Sequence, residues 1–519
     1  MMHLPALPIL IPLLPGGLLI VLGKLPLAVH RLVAGLTVLA VLVVVLALAN
    51  ATVDGTVLAY VAGNWLSPFG IVLAVDRLTI VMLLVATLAV LACLSSATDG
   101  EDTRAPHFHA LLCLQLAGLS GAFLTVDLFN LFVFFELLLI SSYALLLHAG
   151  GGDRVTATTH YLVVNLVGSA LFLIAVAMLY GVTGTLNLAD LARRLPQLAA
   201  TDLPLAESGL LLLLVVFGIK AAMAPLYFWL PGTYHAASTP VAALFAVFTK
   251  VGIYCIVRVF NTLSDTPEVL TVVARYLLPL GLITLVLGAI GVLAARDLRA
   301  MAASLIIVSS GTMLASLAFF ASETTAAALY YLVHSTFAGA TFFLVAGLVR
   351  LARGEHEDAL NIGTPLLRAG FLGTMFFASA MTSAGLPPTS GFIAKLGLLA
   401  SSADLAAGFW LWAVVLAGSL VALVTIARAG SLIFWRPLTA DHLQLASLTP
   451  PLRNTTPIAT LRASRGTTTA AVFLLVCGAT LTIMAAPVQR YLTAAATALA
   501  SPGAYIDAVL SAPRVERRP

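Results

Sequence analysis

Lysine is almost missing from this chain: there are four, against 22 arginines in 519 residues, and three of the four (Lys220, Lys250, Lys395) stand inside otherwise apolar stretches. Charge of either sign is scarce as well, at 9% of residues against 61% hydrophobic, with a mean hydropathy of +1.06. No water-soluble domain of this length sustains that balance, so the chain reads as an all-α polytopic membrane protein. The net charge of +4 is too small to point to nucleic acid, and where the basic residues fall matters more than their sum. Only four cysteines occur (Cys93, Cys113, Cys255, Cys477), all within apolar runs and without CxxC spacing, which argues for packing and against disulfides, zinc or an iron–sulfur cluster. Haem, flavin and nucleotide motifs are also missing, so no cofactor or metal is expected in this chain. The N-terminal stretch MMHLPALPILIPLLPGGLLIVLGK lacks a basic n-region and a small-residue cleavage site, and reads as a first span and not a removed signal.

What is abundant is apolar sequence. Runs long enough to span a bilayer fall at about residues 4–22, 27–49, 73–97, 107–125, 127–148, 155–180, 208–236, 239–263, 269–294, 301–320, 324–352, 369–402, 408–435 and 468–492, about 14 in all. The basic connections alternate. Lys24 and Arg31, Arg104, Arg154, Arg296 and Arg299, Arg350 with Arg353 and Arg368, and the Arg436 to Arg465 group share one side, which the positive-inside rule makes cytoplasmic, with both termini outside. Arg193-Arg194 and the tail Arg514 to Arg518 go against this pattern. Residues 50–70 carry Gly-Asn and Ser-Pro turn signals and predict a short outer hairpin, and LNLADLARRLPQLA after Thr185 predicts an amphipathic surface helix. The polar stretch 436–468 reads as a cytoplasmic loop, and no separate soluble domain is expected.

Against that background the buried charges stand out. Lys220 lies 12 residues after Ser208, and Lys250 lies 11 after Thr239, so each is expected roughly 16–18 Å into its helix, too deep to snorkel easily. Pro225 and Pro231-Gly232 follow Lys220 and predict a break within the membrane, where irregular backbone is tolerated only if protein buries it or it lines a wet cavity. The twelfth run repeats the device, with Pro387-Pro388 and then Lys395. Corresponding broken spans in two halves point to a repeat-built transporter, and the odd separation of five spans makes the repeats inverted. Lysine can release its proton when desolvated whereas the guanidinium cannot, which suits a proton path; the competing reading is a structural ammonium paired to carbonyls or carboxylates. Glu136 is the acid at mid-depth, with Lys220 its expected partner. Asp76 and Asp127 stand at span starts, where capping acids are the simpler reading and an accessory role the alternative. His334 lies within a span and could relay between Lys250 and Lys395 through water, or be a satisfied core histidine; His235, at the break after Pro231, could line a proton entrance. Asn165, Thr249, Ser309 and Ser310 are assigned to packing.

The stretches FFELLLISSYAL, FGIKAAMAPLYFWLPGTYHAASTPVAALFAVFTKVGIY, YYLVHSTFAGATFFLVAGL and AGLPPTSGFIAKLGLL together resemble the antiporter-like membrane subunits shared by Mrp (multiple resistance and pH) cation/proton antiporters and respiratory complex I, over about residues 70–435. FFELLLISSYALLLHAGG, LYGVTGTLNLADLA and a lysine at 395, where the nearest complex I relative is expected to carry glutamate, resemble the D-type branch of the Mrp subunits. The resemblance implies 14 helices with two inverted five-helix repeats (spans 4–8 and 9–13) and broken helices 7 and 12. It divides the chain into 1–106, repeats at 107–263 and 269–435, and 436–519 with the last helix. It also places a proton path along Glu136, Lys220, Lys250, His334 and Lys395. Some relatives carry a lysine four residues after the histidine, where this chain has Ala338, and the polar pattern of the tenth span is reduced to VSSGTM, so water would have to fill the middle of the path. The implied function is the proton-translocating subunit of a multisubunit Na⁺ or K⁺/H⁺ antiporter in a bacterial cytoplasmic membrane, not itself an enzyme, with A, B, C, E, F and G type subunits as partners. The alternatives are a proton-pumping subunit of a respiratory oxidoreductase and a stand-alone solute carrier, the latter lacking any substrate-pocket signature.

Overall fold

Apolar runs of this length become helices because hydrocarbon offers no partner for backbone N–H and C=O groups, which must be paired within the segment. The computed structural model describes residues 3–264, 267–362, 366, 368–435 and 464–512. Among them twelve helices are long and apolar enough to cross a membrane, and two shorter apolar helices, Phe108–Leu124 and Ala369–Ala384, fall where the fourth and twelfth runs were expected. The loop predicted at 436–468 and the tail Arg514 to Arg518 lie almost wholly outside the described residues.

In chain order the helices are α1 (Leu7–Val21), α2 (Leu27–Ala51), α3 (Arg77–Ala97), α4 (Phe108–Leu124), α5 (Leu128–Leu147), α6 (Gly152–Thr183), α7 (Leu188–Arg194), α8 (Leu203–Lys220), α9 (Trp229–Ala236), α10 (Thr239–Phe245) and α11 (Phe248–Thr262). They continue as α12 (Pro267–Ala294), α13 (Leu298–Leu317), α14 (Ser322–Arg353), α15 (Ala369–Ala384), α16 (Ser390–Ser402), α17 (Gly408–Gly430), α18 (Arg465–Ile483), α19 (Ala485–Ala500) and α20 (Gly503–Leu510). The bundle is built around α14, a 32-residue helix buried along most of its length and packed against α10, α13, α15, α16, α18 and α19.

The expected outer hairpin forms slightly later than predicted: β1 (Leu58–Val61) pairs antiparallel with β2 (Val72–Val75), Leu58 opposite Val75 and Val61 opposite Val72. Its edge is covered. Val126 donates its N–H to the Val72 carbonyl and Leu188 donates to Val126, so the start of α5 and the amphipathic α7 complete the ladder. Helix α7 buries Leu188, Leu191 and Ala192 as its pattern predicts. His3 reaches the Tyr60 hydroxyl at 3.3 Å, and α20 packs on α7 and β1, so both described ends of the chain lie on the hairpin side. Arg193 and Arg194, which break the basic-side pattern, have their charge met there by Asp507 and Asp190. On the opposite side Asp99 accepts from the Gly466 and Thr467 amides, and Arg31, Arg154 and Arg299 are paired with Asp102, Glu101 and Asp358.

Two breaks decide where the lysines go. Helix α8 stops at Lys220, Ala222 takes a left-handed φ of 56°, and the chain resumes as α-helix only at Trp229, after a 3₁₀ turn at Leu226–Phe228. Lys220 therefore stands at the C-terminal end of a half-helix, the predicted break coming at Lys220 itself and not at Pro225; the free carbonyls of such an end attract a cation. The Lys250 span is also interrupted, at Ala246-Val247, where hydrogen bonds tighten to i→i−3. The freed backbone at the first break is satisfied from helices of the later half: Thr284 Oγ1 accepts from the Ala224 amide at 2.8 Å, and Ser310 Oγ donates to the Ala221 carbonyl at 2.6 Å. Gly252 allows the close crossing that joins the two spans, since a Cβ there would lie 2.4 Å from the Ala221 nitrogen.

Candidate ion-translocation site

Lys220 is 9% exposed and donates from Nζ to Asn165 Oδ1 at 2.7 Å, with its ammonium 5.5 Å from the Phe135 ring centroid. The Asn165 amide is oriented by its own Nδ2–H, which donates to the Tyr161 carbonyl at 2.8 Å. One turn further along α6, Ser169 donates to Glu136 Oε1. The expected direct pair of Glu136 with Lys220 is not made: no salt bridge joins them among the described residues, and the Asn165/Ser169 face of α6 stands between acid and base. The reason is geometric. Helix α6 packs against both α5 and α8, so its polar stripe intercepts the contact.

Lys250 is 0% exposed and donates to Thr249 Oγ1 at 3.2 Å and Ser309 Oγ at 3.1 Å. Two neutral hydroxyls are its only hydrogen-bond acceptors among the described residues, a thin coat for a charge in a low-dielectric interior. Ser309 also lines a cavity of about 30 Å³ shared with His334, Ser335, Ala338, Ser383 and Lys395. That volume holds roughly two waters, since about 10–15 Å³ suffices for one. His334 is buried, with Nδ1 3.0 Å from Ser390 Oγ, which sets the ring at the cavity wall. Lys395 donates to the Ala384 carbonyl at 2.8 Å and Ser419 Oγ at 2.9 Å. Ala384 ends α15, so this ammonium settles on the carbonyl end of a broken helix, and Gly385, at φ 80°, leaves room for it: a Cβ there would meet Lys395 Cδ at 2.9 Å.

The structure thus brings His334 and Lys395 to one small cavity, which Lys250 reaches only through its hydrogen bond to Ser309, and links Glu136 with Lys220 through α6. The three accessory candidates lie elsewhere. Asp127 caps α5, accepting from the Asn130 amide at 2.8 Å. His235 Nε2 is 3.2 Å from Asp297 Oδ2 at the arginine-rich end. Asp76 caps α3 and forms a two-pronged pair with Arg258 at 2.7 and 2.6 Å. Sequence reasoning passed over Arg258, 4% exposed on the Lys250 helix and stacked 4.7 Å over the Tyr505 ring. The signal was an arginine within an apolar span. It also missed Ser169 and Ser419, and left Asn165, Thr249 and Ser309 to packing although all three are ligands of the ammonium groups or link them.

Amines on interrupted helices, two of them buried, each met by neutral acceptors and one beside a small internal cavity, define a membrane protein that carries ions through its own interior. The family described as NADH:quinone oxidoreductase/Mrp antiporter, TM matches residues 125–423, and the chain belongs to that family. It is 38% identical to the D-type subunit of a probable K⁺/H⁺ antiporter of Rhizobium meliloti, over 99% of this chain and 98% of that protein. It is 34% identical to the D-type subunit of a Na⁺/H⁺ antiporter of Bacillus subtilis, over 97% and 98% of the two chains. Among solved structures, a chain of the Mrp complex from a Dietzia species superposes with a TM-score of 0.82 at 28% identity, covering 98% of this chain and all of that one. A chain of respiratory complex I from Thermus thermophilus superposes at 0.78 with 24% identity, a likeness of fold.

Proposed function

We propose that this chain is the proton-translocating membrane subunit of a multisubunit antiporter that exchanges Na⁺ or K⁺ for protons. The observation that carries the reading is Lys250, wholly buried and solvated by two hydroxyls, one of which, Ser309, lines the cavity shared by His334 and Lys395. The path runs from Glu136 across Ser169 and Asn165 to Lys220, then Lys250, and through cavity water past His334 to Lys395. Relatives named as D-type antiporter subunits support a role beside other antiporter subunits, of the A, B, C, E, F and G types. In this reading the chain is a transporter subunit and performs no redox chemistry itself. We place it in a bacterial cytoplasmic membrane with both termini outside and the arginine-rich side in the cytoplasm, and assign the two repeats to 107–263 and 269–435 between flanking segments 1–106 and 436–519.

The test is cation-dependent ΔpH in everted vesicles carrying the whole assembly. Lys250→Ala should abolish exchange with assembly intact, and Lys250→Arg should nearly do so, because a guanidinium holds its proton. Full exchange in the arginine variant would refute proton carriage by Lys250. Proton movement that appears only with an added electron donor, and never with a cation gradient, would favour membership of a redox-driven complex.

A further inference from the structure

At the arginine-rich end of the bundle a pocket of about 590 Å³ opens between α1, the α3–α4 connection and the α5–α6 turn. Its floor is apolar, made by Ile20, Leu111, Ala144 and Leu147, of which Ile20 and Leu147 are exposed on the flank of the bundle. Its rim is cationic. Arg104, with its side chain 58% exposed, makes one weak ion pair, Nε to Glu101 at 3.4 Å, which leaves its terminal nitrogens without partners among the described residues. His107 stands at the start of α4 with a left-handed φ of 71°, and its Nδ1 is buried without a hydrogen-bond partner. His148, 5% exposed, lines the same pocket; its Nε2 is 2.9 Å from the Ala105 carbonyl and its Nδ1 faces Glu101 Oε1 at 3.9 Å, beyond hydrogen-bond reach. The two nearby acids are already answered, Asp102 by Arg31 and His109, and Glu101 by Arg154, Arg104 and, at 3.9 Å, His148. Three arginines therefore face two carboxylates, and Lys24 follows Gly23, whose backbone abuts the His107 ring.

We propose that this pocket binds an anionic phospholipid, its phosphate against Arg104 and His107 and one acyl chain along Ile20, Leu111 and Ala144. The pairing of surplus positive charge with an apolar floor selects this ligand class: free phosphate leaves the floor bare, and a zwitterionic lipid brings a cation of its own to the rim. A basic pocket between transmembrane helices at the interface is where anionic headgroups lodge.

The test uses the purified, delipidated assembly, titrated with phosphatidylglycerol, phosphatidylcholine or inorganic phosphate, with bound molecules counted by native mass spectrometry. One phosphatidylglycerol should be retained per copy of this chain, undisplaced by the other two. Arg104→Gln should weaken it roughly fivefold, the equivalent of about 1 kcal/mol per basic residue near the surface. Ala144→Trp, which fills the floor and keeps the rim, should also release it. Unchanged binding in both variants overturns the proposal, as does equal retention of phosphatidylcholine or displacement by phosphate. A high-yield cross-link from Leu147→Cys to a neighbouring subunit would show a protein occupant and overturn it as well.

Discussion

Replacing Asp76 with asparagine is an almost isosteric change that removes one charge from a buried ion pair between α3 and α11. Asparagine still accepts the Thr79 amide that Asp76 Oδ1 now holds at 2.9 Å, so the cap on α3 survives. What is lost is the counter-charge for Arg258, whose two terminal nitrogens each hold a carboxylate oxygen. Breaking a buried pair from one side costs about 3–5 kcal/mol, because the remaining charge stays desolvated. Arg258 keeps a bond to Thr79 Oγ1 at 3.2 Å, one to the Tyr254 hydroxyl at 3.3 Å and the Tyr505 ring, so the lower end, about 3 kcal/mol, is expected for Asp76→Asn. Adding Arg258→Met removes the orphaned charge and should bring stability back to within about 1 kcal/mol of the natural chain. The assay is unfolding of the assembly in mixed micelles with rising dodecyl sulfate, with single and double variants compared as a cycle. A loss well under 1 kcal/mol in Asp76→Asn, or a double variant no better than the single one, would refute the reasoning. A stable double variant that exchanges normally shows the pair to be a brace between α3 and α11; a stable one that has lost exchange assigns it to the ion path.

Other outcomes follow from the same geometry. Gly252→Ala pushes a methyl against the Ala221 nitrogen and the Phe217 carbonyl, at 2.4 and 2.6 Å, and should cost about 1–3 kcal/mol and most of the exchange. Gly232→Ala, with nothing near its Cβ, should be neutral in the same vesicle assay, and equal behaviour of the two variants would contradict the close crossing. Lys395→Ala should be inactive, whereas Lys395→Glu keeps a titratable group at the cavity and should retain partial exchange with an altered pH profile; wild-type exchange in the alanine variant would end the path before α16. Burial raises the Asp102 carboxyl, but the Arg31 and His109 hydrogen bonds and charges more than reverse this, and its folded value lies below the ordinary carboxylate one. That stabilisation is present above the unfolded value near pH 3.9 and is lost as pH falls through the depressed one. Arg31→Gln should therefore be less stable than the natural chain at neutral pH and converge with it at the acid end, as read by unfolding against pH.

The spans, their breaks and the placement of three lysines within them were legible in the sequence because each follows from local chemistry. Hydropathy over 20 residues marks a helix in lipid, Pro225 and Pro387-Pro388 remove donors the helix needs, and a lysine deep within an apolar run is too far from the interface to reach bulk water. The break after Lys220 comes earlier than Pro225 for a reason composition does not carry: where the chain breaks depends on what pairs with the freed backbone, and that is Thr284 and Ser310, 60 and 89 residues away from the groups they pair with. The same holds for the site's partners. Asn165 meets Lys220 across 55 positions, Ser309 meets Lys250 across 59 and Asp76 meets Arg258 across 182, so only helix packing decided which of many serines and asparagines would coat a charge. Sequence alone determined that cations would be buried in this membrane protein; the tertiary structure decided what surrounds each one, because solvation of a buried charge is supplied by neighbours in space.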